Sequence, residues 1–170
     1  IGSGSMTQGP YRSDPAGTLH VIETARRPLP AVGAGVRVEV GRLFLSGEGL
    51  YFVAGWELHR DEAVDGLIGT VLVGDLGALF RVARGTADPA TEAEGRRTLA
   101  ELRGLSPEQQ VERVAGSLHV PVEDIAAASI GRLLGPLRVV TARTGDVHLF
   151  ELGRRDRAAA RAWVATLATR

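Results

Sequence analysis

The segment Gly41–Val53, GRLFLSGEGLYFV, limits the possible folds of this chain more than any other. Two short apolar runs, Leu43–Leu45 and Leu50–Val53, flank Gly47-Glu48-Gly49. Glycine accepts positive φ at no steric cost, so the pattern predicts a β-hairpin with a tight turn. A hairpin with so few polar positions must be covered. Phe44, Leu50 and Phe52 are expected to lie under the last helix or a second sheet. The segment carries no catalytic group.

The rest of the chain gives the hairpin enough material for a core. At 170 residues it suits one domain. Formal net charge is zero, so no bulk basic field points to nucleic acid. All 20 of its Lys-plus-Arg positions are Arg. The lack of lysine excludes a Schiff base, a P-loop lysine and a lysine general base. Cysteine is absent, which excludes disulfides, a thiol nucleophile and cysteine metal sites. A composition rich in Arg, Ala, Gly, Val and Leu is what a GC-rich bacterial genome tends to encode.

IGSGSM reads as a purification scar leading into Met6, and residues 1–17 as scar plus a flexible Pro/Gly arm. No charged and then apolar leader follows Met6, so a cytoplasmic location is expected. The domain is expected over residues 18–170. Thr18–Thr24 reads as a strand, and Arg26–Gly35, with two prolines, as a loop. Val36, Val38 and Val40 alternate with Arg37 and Glu39, a half-buried strand.

Ala63–Ala83 predicts a helix in spite of Gly66, Gly69, Gly74 and Gly77. Each glycine costs roughly 1 kcal/mol against alanine, about 4 kcal/mol together. Close approach of another backbone usually offsets such a cost. Gly66, Thr70, Gly74 and Gly77 share one face, expected either to pack within the fold or to mediate self-association or protein contact. Asp65 and Asp75 argue against a transmembrane span.

Asp88-Pro89 opens a charge-laced helix reaching about Gly104, with Leu99 and Leu102 facing the core. Ser106-Pro107-Glu108-Gln109 is a capping box with proline at the first helical position. Three short strands follow, over 126–134, 137–142 and 147–152, joined by Gly135-Pro136 and Thr144-Gly145-Asp146. The closing segment, Asp156–Ala168, places Ala160, Trp163, Val164 and Leu167 on one helical face. Arg154, Arg155, Arg157 and Arg161 read as solvated.

RLFLSGEGLYFV, VPVEDIAAASI and LRVVTARTGDVHLFELGRRDRAAARAWVATL together resemble the pleckstrin-homology-like family, nearest its bacterial and GRAM-type branches. The resemblance covers residues 18–58 and 118–168. It implies an α+β fold, a two-sheet β-barrel capped by a C-terminal helix, with residues 60–117 as a helical insertion between the sheets. It also implies a binding module without enzymatic activity, since fold alone does not name a function.

No chemistry-bearing motif competes with that expectation. His20, His59, His119 and His148 have no metal-ligand spacing, so neither metal nor cofactor is expected. Gly33-Ala34-Gly35 lacks the helix and third glycine of a dinucleotide loop. Glu123-Asp124 reads as a turn. Members of the resembled family bind anionic lipid through cations in the first inter-strand loop. Arg26 and Arg27, with Arg37 and Arg42 nearby in sequence, are the candidates here, and guanidinium geometry suits phosphate. The expected partner is a protein or a second copy through helix 63–83. The alternative is an anionic membrane surface.

Overall fold

The computed structural model describes residues 19–30, 35–61, 85–132 and 135–169. Within them the protein is a mixed α+β fold with two antiparallel sheets and three α-helices. The first sheet has the order β1 (His20–Pro28), β2 (Gly35–Ser46), β3 (Gly49–Asp61) and β4 (Leu118–Pro121). The second has β5 (Ile125–Ile130), β6 (Leu137–Thr141) and β7 (Val147–Phe150). The helices are α1 (Pro89–Glu101), α2 (Pro107–Arg113) and α3 (Arg157–Leu167).

The expected hairpin is the β2–β3 pair, with Leu45 opposite Leu50, Phe44 opposite Tyr51 and Leu43 opposite Phe52. Gly49 has φ +145°, and a Cβ there would lie 2.3 Å from the Val120 carbonyl oxygen. The strands run well beyond the expected limits, because both faces of the sheet are covered. Alternation sends Leu43, Leu45, Leu50 and Phe52 into one core with the second sheet and α3. It sends Val40, Phe44, Tyr51 and Val53 into another under α1 and the segment after it. Two covered faces explain why the hairpin reads as a nearly unbroken apolar run. Phe44 is therefore buried on the side opposite Leu50 and Phe52, away from the last helix.

Side-chain caps start the first two helices. Ser106 and Gln109 form the expected reciprocal box at the start of α2. The Asp88 side chain accepts the Thr91 N–H at 3.1 Å and starts α1. In α3, Ala160 and Trp163 are buried as their spacing predicts, and Arg157 is buried too. Its guanidinium donates to the carbonyls of Gly131 and Gly135 and ties the β5–β6 connection to the helix. The expectation of a solvated Arg157 fails because those carbonyls supply its partners.

The expected organisation needs correcting in two more respects. The described helices of the 60–117 segment do not lie between the sheets in chain order. They lie between β3 and β4, neighbours in the same sheet, and α1 packs on β3. The sheets also do not close into a barrel. Among the described residues, β1 and β7 meet at an isolated bridge between Arg26 and Glu151. The arginine pair expected in a loop is inside β1. Gly66, Thr70, Gly74, Gly77 and the rest of helix 63–83 lie outside the described residues. No helix among the described residues is long and apolar enough to cross a membrane.

Candidate functional site

The four sequence-predicted arginines do not converge. Arg26 and Arg27 are successive residues of β1, opposite Val40 and Glu39, so their side chains take opposite faces. Arg37 is exposed and forms an ion pair with Glu57, its Nε donating at 3.2 Å. Arg42 is buried, 1% exposed, on the helix-covered face of the first sheet.

Arg27 is committed to its neighbours. Its Nη1 lies 3.5 Å from Glu39 Oε2 and 3.4 Å from the Gly116 carbonyl oxygen. Its guanidinium sits 5.7 Å from the Phe52 ring centroid. Burial pushes the Glu39 carboxyl up from its ordinary value, and Arg27 partly offsets this. Burial, and then the same guanidinium, lowers the His148 pKa.

Arg27 also lines a cavity of about 430 Å³ at the β1–β7 corner. Pro28, Leu29 and Pro30 form one side, and Asp146, Val147, His148 and Leu149 the other. Val147 is 48% exposed, the one large hydrophobic side chain so exposed among the described residues. The β7 residues were not anticipated. Their alternation marked a strand, but nothing in the sequence paired that strand with the end of β1.

A second, smaller cavity of about 160 Å³ lies between the first sheet and α1. Arg42, Arg96, Arg103, Glu23 and Trp56 line it. Arg42 Nε donates to Glu23 Oε2 at 2.9 Å and Nη1 to Gln110 Oε1 at 2.9 Å. Sequence reasoning found Arg42 and missed Arg96 and Arg103. A signal was present: residues 96, 99, 100 and 103 recur at helical spacing, and all four line the cavity.

A third cluster surrounds Tyr51, whose ring stacks on His119 with centroids 4.2 Å apart and planes 7° apart. Burial, then hydrogen bonding to Glu108, raises the Tyr51 pKa well above its ordinary value. Burial opposes ionisation of Glu108, but hydrogen bonding from Tyr51, from its own backbone and from Ser106 outweighs it and lowers its pKa. Among the described residues, no group of three or more His, Asp or Glu side chains is placed to hold a metal ion.

No protein-family model matches the chain, and no curated protein or solved structure matches it either.

Proposed function

We propose that this chain is a non-enzymatic binding module of pleckstrin-homology-like architecture that contacts a protein partner at the β1–β7 corner. The order of a four-stranded sheet, a three-stranded sheet and a closing helix supports the family reading. The observation that carries the binding reading is Val147. It stands 48% exposed on the rim of a cavity walled by Pro28, Leu29, Pro30 and Leu149. Apolar side chains around a concave site, with Arg27 and Asp146 at its margin, suit an inserted apolar side chain and a polar rim.

A photo-crosslinking amino acid at position 147 in producing cells tests this, with the same group at exposed Arg143 as the control. A discrete adduct specific to position 147 is expected, and an adduct of two copies would make the partner a second chain. Equal labelling at both positions overturns the reading. So does co-sedimentation with phosphatidylglycerol vesicles that requires Arg27 and is indifferent to Val147→Asp, which would replace the protein partner with an anionic lipid surface.

A further inference from the structure

The cavity between the first sheet and α1 has a different chemistry, independent of the corner site. Three guanidinium groups line it, against the single carboxylate of Glu23. Arg42 is 1% exposed, and removing a cation from water is costly unless strong partners surround it. Its observed partners are one carboxylate and one neutral amide. Arg103 approaches the same Glu23 oxygen at 3.8 Å. The Arg96 guanidinium is held 4.7 Å above the Trp56 ring and pairs with Glu92, Nε and Nη2 both donating to Oε1, at 2.9 and 2.7 Å.

We propose that Arg42, Arg96 and Arg103 form a binding site for a phosphate-class oxyanion. Glu23 Oε2 marks one oxygen position, because it already bridges the buried and the exposed guanidinium. The Glu23 side chain is 51% exposed, so it can turn into solvent when a more highly charged anion takes its place. Two negative charges and several acceptor oxygens satisfy converging guanidiniums better than one carboxylate does. The buried side chains of Trp56 and Leu99 give the cavity an apolar wall, which strengthens the charge interaction. A volume of about 160 Å³ admits a phosphate group.

The full chain is titrated with inorganic phosphate and with phenyl phosphate at constant ionic strength, using chloride as the control. Binding is followed by calorimetry and by tryptophan fluorescence, with Trp56→Phe assigning the optical signal. Saturable binding is expected with phosphate and not with chloride. Tighter binding of phenyl phosphate identifies an organic phosphomonoester as the ligand class; equal binding identifies free phosphate. Arg96→Gln/Arg103→Gln should weaken binding roughly tenfold or more. Both residues are 59% exposed, so the fold is expected to survive the change. Glu23→Gln removes the competing carboxylate and should tighten binding, which a purely structural ion pair would not do. Arg37→Gln, elsewhere on the surface, should change nothing. Absence of saturable binding in both wild type and Glu23→Gln overturns the proposal, as does binding unchanged in the double arginine variant.

Discussion

The indole N–H of Trp163 donates to the main-chain carbonyl of Ser46 at 2.8 Å, joining the last helix to the end of β2 across 117 positions of sequence. Trp163 is 2% exposed and sits among Leu43, Leu50, Phe52 and Phe150, all fully buried. The ring fills the core while its polar edge satisfies a carbonyl where the hairpin turns. Trp163→Phe keeps most of the apolar contact and leaves a buried acceptor unpaired, at a cost of about 1–3 kcal/mol. Trp163→Ala adds a cavity and should cost about 3–5 kcal/mol. Urea denaturation midpoints should rank wild type, Trp163→Phe and Trp163→Ala in falling order.

Gly95 of α1 faces Gly55 of β3. A Cβ on Gly95 would lie 2.5 Å from the Gly55 carbonyl oxygen and 3.1 Å from Trp56 Cβ. Alanine in a helix interior normally gains about 1 kcal/mol over glycine. Here the methyl group meets backbone that cannot rotate away, and overpacking of this kind costs about 1–3 kcal/mol. Gly95→Ala should therefore be net destabilising in chemical denaturation. Gly104→Ala, with nothing within 4 Å of the new Cβ, should leave the midpoint nearly unchanged.

Those two glycines illustrate what could be read from the sequence. Glycine inside a helix marks a close backbone approach at Gly95; the glycines of 63–83, where the sequence suggests the same, lie outside the described residues. Gly95 sits in a helix whose charges suggested a solvated surface. The Ser106 cap, the hairpin and the Trp163 face were legible because each depends on residues within one or two turns. Strand order was not. The pairing of β4 with β3 spans the whole helical segment, and short LHVP carries no signal of which strand it joins. The placement of the arginines was not legible for the same reason. Arg26 and Arg27 are adjacent in sequence but alternate across β1, while Arg42 and Arg103 share Glu23 only because α1 and the turn after it pack on the sheet.

Arg60 and Glu151 hold the corner where β1 meets β7. Arg60 is 5% exposed and donates to both Glu151 carboxylate oxygens, at 2.9 and 2.8 Å. The Glu151 backbone bonds Arg26 in both directions, at 3.0 and 2.7 Å. Removing one member of a fully buried ion pair costs about 3–5 kcal/mol, and partial exposure of Glu151 reduces this to about 2 kcal/mol. Glu151→Ala should lower the denaturation midpoint accordingly. Arg60→Leu/Glu151→Ala should recover part of the loss, because the buried charge that Glu151 neutralises is then removed with it. A double variant whose cost equals the sum of the single variants would show that the two residues act independently.

Tyr51 sets an alkaline limit on stability. Its folded-state pKa is raised above the ordinary value of 10, first by burial and then by hydrogen bonding to Glu108. Below pH 10 the hydroxyl is protonated in both folded and unfolded chains, so it adds no pH dependence. Above pH 10 the unfolded chain releases the proton and the folded chain keeps it. The folded state then binds more protons, and stability must fall as pH rises, approaching about 1.4 kcal/mol per pH unit. The chain has no lysine or cysteine to titrate in this range, which leaves tyrosine in control. Urea midpoints measured from pH 9 to 11 should fall for wild type. Tyr51→Phe, which retains the ring stacked on His119, should flatten that decline. An equally steep decline in Tyr51→Phe would assign the alkaline loss to another group.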